Sequence, residues 1–130
     1  MGNRINVLLY EPCEEPRMVE IDNSLKAMQD VVGGYIEVLS PWSNDVVIVC
    51  NEEGKLRGLE PNHVVRFYRD NAATSQYDII CGTFFVAQAP IFSDGFDSLP
   101  EDSVEAVQAF IKNDLKAFLK ELEEEDLYDL

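Results

Sequence analysis

Asp45-Val46-Val47-Ile48-Val49-Cys50 is the stretch on which the fold turns. Its apolar residues are continuous, the pattern of a strand covered on both faces or lying at a sheet centre; a strand with one wet face alternates instead. Upstream, Tyr35-Ile36-Glu37-Val38-Leu39 does alternate, with Tyr35 and Glu37 on one side and Ile36 and Val38 on the other, and Pro41, Ser43 and Asn44 mark the turn between the two runs. Downstream, Asn51-Glu52-Glu53-Gly54 leads into Lys55-Leu56-Arg57-Gly58-Leu59, and a four-residue connection ending in glycine suits a hairpin. Glu60-Pro61-Asn62-His63 reads as a helix start, with Pro61 at the first helical position and Val64, Val65, Phe67 and Tyr68 supplying one buried turn. Residues 69–76 read as a polar loop. Tyr77 to Ala87 then reads as one long central strand, interrupted by Gly82 at a bulge or a close backbone approach.

Toward the N-terminus, Arg4 to Tyr10 is a short strand stopped by Glu11-Pro12, and Arg17 to Ile21 repeats the pattern. Asp22, Asn23 and Ser24 are three N-cap candidates before Leu25, Met28, Val31 and Val32, whose spacing of three and four makes one helix face ending at Gly33-Gly34. Toward the C-terminus, Ser98 with Glu101 three residues on, and Pro100 between, has the form of a capping box. Val104, Val107, Ile111, Leu115, Phe118 and Leu122 follow at helical spacing. The expected fold is therefore α+β: a single domain with a mainly antiparallel sheet of four to five strands, covered on one face by two helices. Residues 1–90 form the α+β core, 98–125 a C-terminal amphipathic acidic helix and 126–130 a tail.

The chain has 130 residues, 46% of them hydrophobic and 27% charged, enough to bury roughly two-thirds of its unfolded surface without a metal or cross-link. Its 25 acids against 10 bases give a net charge of −15, which repels phosphate backbones and anionic bilayers, so neither nucleic acid nor membrane is an expected partner. Residues 101–130 hold 10 acids and 3 bases, and the charge density there is about three times that of the preceding hundred. Val7 to Tyr10 is too short for a signal peptide, and no apolar run is long enough to span a bilayer. Cys13, Cys50 and Cys81 are an odd set without C-x-x-C spacing and read as reduced thiols, Cys50 and Cys81 inside apolar strands. These features lead us to expect a cytoplasmic location; oligomeric state is left open.

Chemistry-bearing residues are few. His63 is the sole histidine, so a nucleophile paired with a base has one possible base, and at a helix start that residue reads as a cap or solvent-facing group. Three unclustered cysteines and one histidine make no zinc site, Glu52-Glu53 and Glu123-Glu124-Glu125-Asp126 lack a calcium-loop order, and Gly33-Gly34 follows a helix where a phosphate cradle would open one. No cofactor, metal or catalytic residue is expected. Tyr35 and Glu37, together with Asn51, Glu52 and Asn62, form a candidate pocket of one aromatic, two carboxylates and two amides.

Val32-Gly33-Gly34-Tyr35-Ile36-Glu37, Cys50-Asn51-Glu52-Glu53-Gly54-Lys55-Leu56, Leu59-Glu60-Pro61-Asn62 and Tyr77-Asp78-Ile79-Ile80-Cys81-Gly82-Thr83-Phe84 together resemble the family known as domain of unknown function 3846. The resemblance runs from about Ile5 to Val86 and leaves Phe92 to Leu130 outside it. It implies a short protein of phages, plasmids and other mobile elements, mainly of Gram-positive bacteria, with no established activity. Two functions follow as expectations. The first is a non-enzymatic interaction protein without turnover, binding a basic host protein surface through Glu121, Glu123, Glu124, Glu125 and Asp126. The alternative is a small-ligand or nucleotide binder, or an enzyme, working through the pocket around Glu37, Asn51, Glu52 and Asn62.

Overall fold

In the computed structural model of the chain, residues 3–42, 44–70, 72–90 and 95–128 are described, the last four by their backbone alone. Strands β1 (Arg4–Tyr10), β2 (Arg17–Asp22), β3 (Ile36–Leu39), β4 (Val46–Asn51) and β7 (Phe84–Gln88) form one antiparallel sheet in the order β2-β1-β7-β4-β3. Strands β5 (Pro61–Arg69) and β6 (Ala72–Cys81) form a separate hairpin. Helix α1 is Leu25–Val32 and α2 is Val104–Tyr128, entered through a 3₁₀ turn at Glu101–Ser103. The α+β class and the antiparallel sheet follow the sequence expectation.

The continuous apolar run of β4 is buried at every position. Its alternate residues serve two cores. Val46, Ile48 and Cys50 join Leu8, Tyr10, Phe84 and Val86 on one face of the sheet, whereas Val47 and Val49 join Ile5, Val7, Leu9, Phe85 and Ala87 on the other. Helix α1 covers the second face with Met28 and Val32. The hairpin β5-β6 and α2 cover the first with Val65, Ile80, Val107 and Ile111. The two helices thus lie on opposite faces, which corrects the expectation that both cover one: strands buried on both sides require a cover on each.

Helix α1 begins where Ser24 Oγ accepts the Ala27 N–H and ends at Gly33, whose φ of 81° is the left-handed C-cap conformation. Four other local readings are corrected. Pro61 opens strand β5 instead of a helix, because a first strand position tolerates a missing N–H as readily as a first helical one. Of the expected polar loop 69–76, Arg69 ends β5 and residues 72–76 begin β6. The single strand expected over 77–87 is two, because Gly82, at φ 87°, turns the chain out of the hairpin and into the main sheet. Ser98 does not cap a helix: its Oγ accepts the Asn6 N–H at 2.8 Å, and Pro100 stands at the cap with no side-chain bond.

On α2 the apolar stripe is interrupted by Asp114, which is 3% exposed. Its Oδ2 accepts the Arg66 N–H at 3.0 Å, a backbone donor at the β5 bulge between Arg66 and Tyr68. The helix is further tied by the Glu121 carboxylate, which accepts from Tyr77 Oη at 3.1 Å and lies 3.9 Å from the Arg66 guanidinium. Phe118 packs on Tyr77, while Leu122 is 42% exposed, so the stripe leaves the core about there.

Ile111→Asp should lower stability by ~3 kcal/mol or more, since it buries an unpaired charge, and Glu124→Ala should change it by less than ~0.5 kcal/mol. Urea midpoints of the two variants check the difference. Burial raises the Asp114 carboxyl above its ordinary range, against the opposing pull of the Arg66 N–H and guanidinium. The native state then holds this proton to a higher pH than the unfolded chain, so the residue's contribution to stability falls as pH rises from the ordinary value of 3.8. Asp114→Asn keeps an oxygen acceptor without ionising and should gain stability relative to the wild type across that rise, measured by melting temperatures at stepped pH.

Candidate functional site

The polar residues singled out in the sequence separate into three places. Glu37, Asn51 and Glu52 line a cavity of about 370 Å³ at the seam between β3-β4 and β6, whose lining includes the Lys55-Asp78 ion pair. Tyr35, one residue before β3 and 68% exposed, lines a different cavity of about 390 Å³ with Gly34, Glu53 and Arg57; Asn51 touches both. Asn62 is in neither.

Both asparagines are committed to the backbone. Asn51, 5% exposed, donates from Nδ2 to the Val32 carbonyl at 3.1 Å and accepts the Glu53 N–H on Oδ1 at 2.8 Å. It therefore joins the end of α1 to the turn after β4. That turn is no strand, as the hairpin expectation for Lys55 to Leu59 had it, but a coil closed by Arg57 N–H to Glu53 and Leu59 N–H to Gly54 carbonyls. Asn62 donates to the carbonyls of Tyr10 at 3.0 Å and Gly82 at 2.9 Å, and its Oδ1 faces His63 Nδ1 at 2.9 Å. With Nδ2 fixed as the donor to two carbonyls, Oδ1 is an acceptor and His63 carries its proton on Nδ1. His63 is thus a half-buried strand residue packed edge-on to Tyr10, in place of the cap expected from the sequence.

The seam cavity is acidic: Glu37, Glu52 and Asp78 against Lys55. Two thiols line it. The Cys50 sulfur contacts the Glu37 carbonyl at 3.7 Å and carboxylate at 3.9 Å, and burial, then the charges of Glu37 and Asp78, push its pKa up to about 12. Cys13, elsewhere, donates to Glu60 Oε1 at 3.2 Å, and that bond and charge push its thiol up as well. Neither is poised as a thiolate nucleophile. Among the described residues no group of three or more His, Cys, Asp and Glu side chains is placed to hold a metal ion, and no helix is long and apolar enough to cross a membrane.

Among the expected partner-binding residues, Glu121 is partly spent on Tyr77 and Arg66, Glu123 and Glu124 are exposed, and the side chains of Glu125 and Asp126 lie outside the described residues. The sequence reading passed over a cleft of about 350 Å³ between α2 and the main body, lined by Trp42, Tyr68 and Phe110. Phe110 is 43% exposed there, and Trp42 Nε1 is a buried donor without a partner among the described residues. A helical wheel carried the signal, since Phe110 falls beside the Val107-Ile111 stripe.

A family model, Domain of unknown function (DUF3846), matches residues 5–112. The match extends past Val86 and takes in Val107 and Ile111, so the first turns of α2 lie within it although the sequence resemblance had stopped short of them. No curated protein and no solved structure matches the chain.

A Cβ on Gly54 would stand 2.5 Å from the Cys81 carbonyl oxygen, a backbone atom that cannot swing away. Gly54→Ala should therefore cost ~1–3 kcal/mol by forcing the turn off β6. Chemical denaturation checks the loss, and amide exchange should speed up first at residues 51–59 and 78–81.

Proposed function

The chain belongs to the DUF3846 family, and we propose that it works as a non-enzymatic interaction protein of a bacterial mobile element or phage, acting in the cytoplasm and binding a basic surface of a host protein through α2. The observation that carries this reading is the far end of α2. Beyond Glu121, the last side chain tied to the hairpin, the helix runs on with Glu123 and Glu124 exposed and in no ion pair among the described residues. A net charge of −15 steers such a surface toward cationic partners, at rates that fall with salt.

Charge guides encounter, while affinity needs an apolar anchor. The cleft of Trp42, Tyr68 and Phe110 lies on the same helix, and at 100° per residue Glu124 sits about 40° around the axis from Phe110. One side of α2 therefore offers an aromatic cleft followed by carboxylates. The ligand-pocket reading is weaker, because the amides it counted on are bonded to backbone groups and the lysine lining its cavity is paired with Asp78.

Capture of partners from bacterial lysate at low and high salt tests the proposal. Converting Glu123, Glu124, Glu125 and Asp126 to their amides should weaken capture and flatten its salt dependence, Phe110→Ser should weaken it at both salts, and Glu37→Gln with Glu52→Gln should leave it intact. Loss from the cavity pair with indifference to the α2 changes overturns the reading in favour of a ligand site at the seam.

A further inference from the structure

A pocket of about 340 Å³ opens where the end of β1, the loop after it, β5 and α2 meet; it is lined by Tyr10, Glu15, Pro16, His63, Gln108, Ile111 and Lys112. Its volume lies at the lower end of the range for small-molecule sites, ~300–1,000 Å³. The wall is apolar at Pro16, Ile111 and the Tyr10 ring, and polar groups converge on it from the loop, β5 and α2.

The tautomer of the imidazole is fixed by its neighbour. Asn62, clamped by the carbonyls of Tyr10 and Gly82, takes the Nδ1 proton of His63 and leaves Nε2 as a lone-pair acceptor. Nε2 makes no hydrogen bond to a described residue and is not sealed from solvent. The Tyr10 side chain is fully buried and contributes to the wall of the pocket. Burial holds His63 below its ordinary pKa, with the Glu15 carboxylate opposing, so the ring is neutral at pH 7 and Nε2 stays an acceptor. The charges that face it are Glu15 from the loop and Lys112 from α2. Glu15 and Lys112 are in no ion pair, and the Gln108 amide makes no hydrogen bond, among the described residues.

An acceptor nitrogen and a carboxylate, a cation and an amide around an apolar floor match a ligand that carries both charges. A simple anion meets Glu15 and a net charge of −15; a simple cation meets Lys112. We propose that this pocket binds a small zwitterion of the α-amino acid class with an apolar side chain, its carboxylate on Lys112 and the Gln108 amide, its ammonium on Glu15 and His63 Nε2, and its side chain over Pro16 and Ile111. All of these residues lie within the span matched by the family model, and the site is independent of the acidic end of α2.

His63 is the sole histidine, so its ring resonances report on this pocket alone. The test is NMR titration of the full chain with L-leucine, L-methionine and L-phenylalanine separately, with 3-methylbutylamine and 4-methylpentanoic acid as single-charge controls. At least one amino acid should shift the His63 resonances saturably at millimolar concentration, and both controls should bind at least about tenfold more weakly, the loss expected for one charge-assisted hydrogen bond. Glu15→Gln and Lys112→Met, both at exposed positions, should each weaken binding by a similar factor without changing the melting temperature. Absence of a shift with all three amino acids, equal binding of either control, or unchanged affinity in both variants overturns the proposal.

Discussion

Three strands in the middle of the sheet, β1, β7 and β4, present apolar side chains on both faces, and everything else in the molecule answers to that. Val7, Phe85 and Val49 on one side and Leu8, Phe84, Val86 and Ile48 on the other are essentially inaccessible to water. Each such side chain is worth ~1.5–3 kcal/mol when buried, so neither face can be left wet. Helix α1 is short, yet it suffices for its side because Val19, Ile21, Ile36 and Phe96 fill in around it. The opposite side needs more cover than α2 supplies, and the β5-β6 hairpin provides it with Val65 and Ile80.

The covers meet the sheet along seams, and three polar side chains close them. Asn51 bridges the last turn of α1 and the turn after β4; Asn62 bridges the ends of β1 and β6; Asp114 bridges α2 and the bulge in β5. Each supplies a partner to backbone groups left over where regular structure stops, which a buried backbone group requires. The clefts of the protein lie beside these same seams, because three packed layers close least well at their junctions. Polar residues near a cleft are therefore of two kinds here. Asn51 and Asn62 brace it, whereas Glu15, Gln108 and Lys112 face it without an ion pair or side-chain hydrogen bond among the described residues.

How much of this was legible depended on whether neighbouring residues alone set the conformation. Ser24 and Gly33 bracket α1 by local geometry, and β4 declares two-sided burial by its composition. The region 60–81 misled for a physical reason. Pro61 fits the first position of either a helix or a strand, and Val64 to Tyr68 suits either; the hairpin wins through pairing with Ala72 to Cys81, which no short window contains. Gly82 was visible as an interruption, but its meaning, a change of sheet, depends on β1 and β4 waiting on either side of β7. Of the candidate site, the cavity formed by Glu37 and Glu52 follows from strand alternation, while the role of Asn62 does not: its partners, Tyr10 and Gly82, are distant in sequence.

The position of β7 also dictates an order of events during synthesis. It is the last strand among the described residues and lies between β1 and β4, pairing Leu8 with Val86 and Val46 with Gln88. Before it leaves the ribosome, the β1-β2 and β3-β4 pairs can form locally, each with its most apolar strand as an open edge. The nascent protein then exposes two apolar edges, each antiparallel to β7 and so parallel to one another, and capture by β7 competes with their direct pairing. Insertion of a central strand makes the sheet cooperative, and it concentrates the hazard of misassembly in the interval before residue 88 is free.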